Sequence, residues 1–267
     1  MKGIILMIFA CLVTRNLQCQ DLSQYEKKEF THNGQILMYR ILYPEDYEKD
    51  KKYRLIIFLH GSGERGNNNE SQLIHGGSFF LQDTIRKKYP AIVIFPQCPK
   101  DSAWSYFQHI FDTVTKKMSF SFVHQDQPVT TEWLVKELID SLINTNHVDK
   151  NFVYIGGLSL GAIGTYDLIE RYPNIFAAAF PICGAGDTLM ANRFAEQIPL
   201  WIFHGGADPV VNPEFSRGYY RAMLALGGEV KYSEYPGVGH NSWDNAFMEK
   251  DLMGWIFSKK NKDYSYK

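Results

Sequence analysis

The chain has 267 residues, 45% of them hydrophobic, with 28 basic against 29 acidic side chains and a formal net charge of -1. That length supports one α/β domain with a large core and leaves no room for a second. Basic residues form only short runs, which excludes a nucleic-acid patch, and no zinc-type histidine or cysteine spacing occurs, so neither metal nor cofactor is expected. Met1-Lys2 followed by the apolar run Gly3 to Val13 reads as a secretory signal, too short for a spanning helix of ~20 residues. Residues 1–20 are therefore expected to leave on export to the periplasm or the exterior, and residues 21–267 to form the domain. Cys19 as a lipid acceptor is disfavoured, because Gln18 stands where such sites prefer a small residue.

Tyr53 to Leu59 reads as the first clear strand, followed by the glycine-rich loop His60-Gly61-Ser62-Gly63-Glu64-Arg65-Gly66. The loop lacks a Gly-Lys-Ser/Thr ending and opens no helix with G-x-G-x-x-G, so a phosphate cradle is disfavoured. Glu64 and Arg65 either brace the loop by pairing or stand solvated. Ala91 to Phe95 is short and wholly apolar, as a parallel strand covered on both faces requires. Lys100 to Pro128 is the least regular stretch and reads as a loop lying over the carboxyl edge of the sheet. Its aromatics, Trp104 above all, are candidate pocket walls for stacking on a sugar or a phenolic acyl group; plain loop packing is the alternative.

Helical periodicity follows from Thr130 to Ile143. Next come the apolar run Asn151 to Gly156, the pentapeptide Gly157-Leu158-Ser159-Leu160-Gly161, and a helical pattern that reaches Tyr172 and stops at Pro173. Strand, G-x-S-x-G and helix together make a nucleophile elbow, with Ser159 at its strained apex. The glycines leave room for close backbone passage, and the helix start aims N–H groups at the oxygen of an attacked carbonyl. Ala177 to Phe180 and Ile198 to His204 read as further buried strands, the second ending in Gly205-Gly206-Ala207-Asp208-Pro209. Pro213 to Leu226 reads as a helix stopped by Gly227-Gly228. Val230 to Tyr235 alternates like a strand and leads into Pro236-Gly237-Val238-Gly239-His240-Asn241-Ser242-Trp243. Asp244 to Phe257 reads as the last helix.

Ser159, Asp208 and His240 each follow a predicted strand, in the order Ser…Asp…His that α/β-hydrolases use. In that reading His240 is the general base, and Asp208 holds its tautomer and stabilises the imidazolium. Asp187 and Asp244 are rival acids and His204 a rival base, although core packing at a strand end accounts for His204. The amides of Leu160 and Ser62 are the expected oxyanion donors, with Gly61 the near alternative to Ser62. Trp243 lies three residues past His240 and is the second candidate pocket wall. Cys98 and Cys183 could form one disulfide; two buried thiols on separate strand ends are slightly favoured.

The segments His60 to Gly66, Phe95-Pro96-Gln97-Cys98-Pro99, Gly157 to Gly161, Pro181 to Gly186 and Tyr235 to Trp243 resemble the esterase and "predicted peptidase" branch of the α/β-hydrolases. That branch is similar to polyhydroxybutyrate-depolymerase-like enzymes and to the feruloyl and acetylxylan esterases of carbohydrate esterase family 1. The resemblance runs from about Phe30 to Phe257. It implies a mostly parallel central sheet flanked by helices, and a serine esterase acting on acyl groups, often those of plant polysaccharides. One departure stands out: the family usually has glycine after Gly161, where this chain has Ala162.

The expected function is thus an exported serine carboxylic-ester hydrolase. Its partner would be a small ester or an acylated polysaccharide, with no nucleic acid and no integral membrane span; no signal specifies an oligomeric state. A serine peptidase uses the same triad on an amide, but peptidases of this fold commonly carry a large gating domain. A catalytically silent carbohydrate-binding protein is the third possibility, and an intact triad counts against it.

Overall fold

The structure is a computed structural model that describes residues 21–113, 117–145 and 147–261. The expected signal segment, residues 1–20 with Cys19, lies outside the described residues. Among the described residues there are ten strands: β1 (Glu26–His32), β2 (Gln35–Leu42), β3 (Tyr53–Leu59), β4 (Ala91–Pro96), β5 (Phe107–Asp112), β6 (Lys117–Phe122), β7 (Val148–Leu158), β8 (Ala178–Ile182), β9 (Leu200–Gly205) and β10 (Val230–Tyr235). Eight of them form one sheet in the order β1-β2-β4-β3-β7-β8-β9-β10. The pairs from β4 through β10 are parallel; β1–β2 and β2–β4 are antiparallel. This is the α/β-hydrolase architecture, in a single domain.

Burial on both faces explains why the central strands read as continuous apolar runs. In β3, Leu55, Ile57 and Leu59 join one core cluster, while Ile56 and Phe58 join the other. The first cluster is closed by α3 (Thr130–Asn144), α4 (Leu160–Arg171) and α5 (Glu214–Ala225). The second is closed by α1 (Gly77–Phe80), α2 (Asp83–Lys88), α6 (Trp243–Ala246) and α7 (Leu252–Phe257). Gly227 stops α5 at φ 71°, its amide on Leu224 O at 3.1 Å and that of Gly228 on Met223 O at 2.8 Å, the paired bonds of a Schellman cap.

Three parts differ from the sequence reading. β1 and β2, which had no assignment, are joined by Asn33-Gly34, both at positive φ, the two-residue turn that suits a hairpin's twist. Charged, mostly exposed side chains on β1 conceal its strand character. The stretch expected as a loop contains the antiparallel β5–β6 hairpin. Phe107, Phe120 and Phe122 of this hairpin pack with Phe215 against Ile163, Ala185 and Val211. Finally, the helix expected from Asp244 to Phe257 is two short helices. Phe247 turns inward to lie 5.5 Å from Phe58 and 4.9 Å from Phe79, ring to ring, and the chain bends after it so that Leu252, Met253 and Ile256 reach the same core. Cys98 and Cys183 are both buried free thiols, not a disulfide.

Candidate active site

The turn from β7 into α4 places Ser159 at φ 52° and ψ −117°, a region non-glycine residues avoid at a cost of about 1–3 kcal/mol. Its amide is anchored on Ile182 O at 2.9 Å. The flanking glycines have steric causes. A Cβ on Gly161 would lie 1.9 Å from Leu59 O, and one on Gly157 2.4 Å from Gly161 O. Ala162, the departure noted above, fits because Gly184 faces it: a Cβ there would come within 2.3 Å of the Ala162 methyl.

Three side chains from three strand ends meet at this turn. His240 Nδ1 lies 2.7 Å from Asp208 Oδ2, and His240 Nε2 lies 2.9 Å from Ser159 Oγ. A carboxylate only accepts, so Nδ1 carries the proton and Nε2 is free to accept from the serine hydroxyl. Asp208 Oδ1 accepts from the amides of Val210 at 2.8 Å and Val211 at 3.0 Å. Burial pushes the Asp208 carboxyl up, but hydrogen bonds from His204, His240 and these amides outweigh it and hold the group well below the usual carboxylate range. An ionised acid, an imidazole and a hydroxyl in line are equipped to raise a serine alkoxide against a carbonyl.

The rivals lie elsewhere. Asp187 caps a 3-10 turn by accepting from Leu189 N at 3.0 Å. Asp244 is exposed and accepts from Asn241 Nδ2 at 3.1 Å. His204 is fully buried, but it serves neither as base nor as mere filling. Its Nε2 lies 3.0 Å from Val211 O and 3.3 Å from Asp208 Oδ2, and its Nδ1 lies 2.7 Å from Ser216 Oγ on α5. It therefore backs the same carboxylate oxygen that His240 Nδ1 engages. Its place four residues before Asp208 at a strand end was the only sequence signal for this contact.

The loop after β3 lies against the elbow: a Cβ on Gly61 would sit 3.6 Å from Ser159 Cβ. Leu160 is the first residue of α4, so the helix supplies no acceptor for its amide. Ser62 opens a 3-10 turn whose preceding carbonyl, Gly61 O, is 2.6 Å from His60 Nδ1. His60 Nε2 accepts from Cys98 N at 3.0 Å, so Nδ1 is the protonated nitrogen and donates to Gly61 O. Burial pushes the His60 imidazole down to about 4, which keeps it neutral. Because a peptide unit is planar, fixing Gly61 O also fixes the opposite direction of the Ser62 N–H. Arg65 braces the same loop through carbonyls, Nε on Ser62 O at 3.1 Å and Nη1 on Ser102 O at 3.0 Å, and does not pair with Glu64.

Trp104 is wholly buried, with its indole N–H on His60 O at 2.9 Å and its Cβ against Gly164. It supports the loop from behind instead of presenting a face to solvent. Trp243 is half-buried, edge-on to His240 with ring centroids 5.6 Å apart. Among the described residues one metal-type group converges, Cys183, Asp208 and His240, with ligand atoms within 4.8 Å of one another. The Asp208–His240 hydrogen bond already uses those atoms, and burial pushes the Cys183 thiol well up, so the group does not present the deprotonated donor set a metal needs.

A family model described as phospholipase/carboxylesterase matches residues 46–251. Acyl-protein thioesterase 1 of Debaryomyces hansenii is 27% identical over 222 residues, spanning 75% of this chain and 89% of that protein. A solved thermostable esterase superposes with a TM-score of 0.79 at 33% identity, covering 90% of this chain, which spans 64% of that esterase's length. A family 1 ferulic acid esterase from Anaeromyces mucronatus, solved with ferulic acid, superposes with a TM-score of 0.62 at 15% identity over 86% of this chain and 89% of its own, a likeness of fold alone.

Proposed function

This chain belongs to the phospholipase/carboxylesterase family, and we propose that within it the protein is an exported serine carboxylic-ester hydrolase whose substrates are feruloyl or acetyl esters of plant polysaccharides. The observation that carries the esterase reading is the unbroken line Asp208–His240–Ser159 at 2.7 and 2.9 Å. Ser159 Oγ attacks the ester carbonyl as His240 Nε2 takes its proton. The tetrahedral oxyanion is held by the amides of Leu160 and Ser62. Collapse expels the alcohol, which receives the proton from His240, and leaves Ser159 acylated. Water, deprotonated by the same nitrogen, then releases the acid and restores the serine. Asp208 stays ionised throughout and stabilises the imidazolium. Beside the elbow, the aromatic hairpin of Phe107, Phe120 and Phe122 over Ile163 offers an apolar lining for a phenolic or short acyl group.

A second reading, acyl thioesterase, draws on the likeness to acyl-protein thioesterase 1, since the same triad cleaves a thioester. Wild type and Ser159→Ala should be compared on p-nitrophenyl acetate, methyl ferulate, acetylated xylan, an S-acyl peptide and a chromogenic peptide amide. Ser159-dependent turnover of the oxygen esters above the thioester supports the proposal. Preference for the S-acyl peptide transfers it to the thioesterase, and amide turnover alone to a peptidase. No Ser159-dependent turnover at all would leave the silent binding protein as the better account.

A further inference from the structure

The alcohol half of an ester must leave beside the atom that protonates it, which is His240 Nε2. Starting at the His240 ring runs a row of three side chains outside the triad. Trp243 packs edge-on against His240, with 5.6 Å between ring centroids. Trp243 also meets the His75 ring at 4.8 Å, and His75 Nε2 lies 3.6 Å from Glu64 Oε1. The row returns to the nucleophile. Glu64 Oε2 lies 3.1 Å, and Ser159 Cβ 3.6 Å, from the one point where a Cβ on Gly61 would stand. Carboxylate and nucleophile thus both pack about Gly61, with Leu158 Cδ1 nearer still at 2.8 Å, so that only glycine fits between them.

Glu64 is mostly buried, with its side chain 11% exposed, and among the described residues its carboxylate takes no protein hydrogen bond, only His75 just beyond hydrogen-bond range, so what the carboxylate meets is solvent. A carboxylate offers about four acceptor positions, and here the protein occupies none of them. Such a group beside a reacting serine is suited to receive donors from the substrate. Trp243 and His75 are each partly exposed, and together they present a flat ring next to a group that can donate or accept. A flat apolar surface with a carboxylate and an imidazole at its margin matches a sugar ring, which shows one C–H face and a rim of hydroxyls.

We propose that Glu64, His75 and Trp243 form a subsite for a hydroxylated alcohol half, a sugar unit, and set a preference for sugar esters over esters of plain alkanols. This rests on the esterase reading above and narrows it. The ring lies on Trp243, one hydroxyl donates to Glu64, and a second bonds His75. An ammonium-bearing alcohol is the competing occupant of a carboxylate.

The test compares kcat/KM on three acetyl esters: a monoacetylated methyl xyloside, cyclohexyl acetate and acetylcholine. Wild type should favour the xyloside over cyclohexyl acetate by roughly tenfold or more, the scale expected for a hydrogen bond to a charged group. Glu64→Gln, and separately His75→Ala should the first variant fail to fold, should each reduce that ratio about tenfold, mainly through KM for the xyloside. A ratio within about twofold of wild type in the folded variants overturns the subsite, and so does a preference for acetylcholine. Ser159→Ala is run on the same esters. Turnover that survives it overturns the esterase reading together with the subsite, whereas Ser159-dependent turnover with an unmoved ratio overturns the subsite alone.

Discussion

Replacing His60 by alanine isolates the part of the site that neither attacks nor transfers a proton. His60 is 1% exposed and makes two hydrogen bonds, from Nδ1 to Gly61 O at 2.6 Å and to Nε2 from Cys98 N at 3.0 Å. Its removal opens a cavity below Trp104 and leaves the buried Cys98 N–H without an acceptor, a combined loss of about 3–5 kcal/mol of stability. The catalytic effect has a separate origin. Deleting an oxyanion donor outright lowers kcat by about 10²–10³. Here the Ser62 amide remains but loses the constraint that the Gly61 carbonyl imposes on its plane, while Leu160 keeps its place at the start of α4. The expected fall in kcat for p-nitrophenyl acetate is therefore smaller, about 10- to 100-fold, with KM changed little because the defect lies in transition-state stabilisation. Both constants should be measured well below the Tm of the variant, with its circular dichroism recorded at the same temperature. A folded His60→Ala enzyme whose kcat stays within about threefold of wild type would refute the argument that the Gly61 carbonyl orients the oxyanion hole.

His204→Asn withdraws the donor behind Asp208 but leaves its two amides and His240; kcat should fall about tenfold with KM within twofold, and an unchanged kcat would show that His204 only fills space. Burial and the neighbouring Asp167 push Glu170 up from 4.5 to about 7, and burial pushes the adjacent Glu132 up to about 10. A carboxyl raised in this way binds its proton more tightly when folded, so its stabilising contribution is complete below 4.5 and is lost as pH climbs through 7 for Glu170 and towards 10 for Glu132. Wild-type Tm should accordingly drop between about pH 5 and 8. Glu170→Gln should flatten that drop and be the more stable protein at pH 8, by on the order of 2–3 kcal/mol; a variant less stable than wild type there would contradict it. Ser159→Gly should abolish ester turnover yet raise Tm by about 2–4 °C, because glycine relaxes the backbone strain at the elbow; a lower Tm would mean the strain is not stored there.

Glutamate and histidine recur in these experiments at places where the sequence alone is silent. Glu64 and Arg65 are adjacent, and a linear reading leaves open a mutual ion pair, pairing with neighbours or a solvated pair; the structure sends Arg65 to two neighbouring carbonyls and Glu64 to the flank of Gly61. Trp104 sits in an aromatic-rich stretch and reads as a pocket wall. Only the packed structure shows its indole wholly enclosed, because what fills the space around it comes from His60 and Gly164, 44 and 60 positions away. The β5–β6 hairpin escaped notice because its strands follow no tight-turn signature and sit apart from the main sheet.

What the sequence determined by itself is whatever rests on local sterics and on strand and helix periodicity. Apolar runs named the buried parallel strands, Gly157 and Gly161 marked the elbow because any side chain there would strike backbone, and glycine-rich strand ends pointed to Asp208 and His240. What only the tertiary structure decided is how groups far apart in the chain face one another. Asp208 is held below the usual carboxylate range by donors from His204, His240 and the amides of Val210 and Val211, His60 directs a peptide plane through one carbonyl, and Glu64 borders the nucleophile across Gly61. Hydrogen bonding and burial act between atoms a few ångströms apart, irrespective of how many residues separate them along the chain, and that proximity exists only once the sheet has brought its strand ends to one edge.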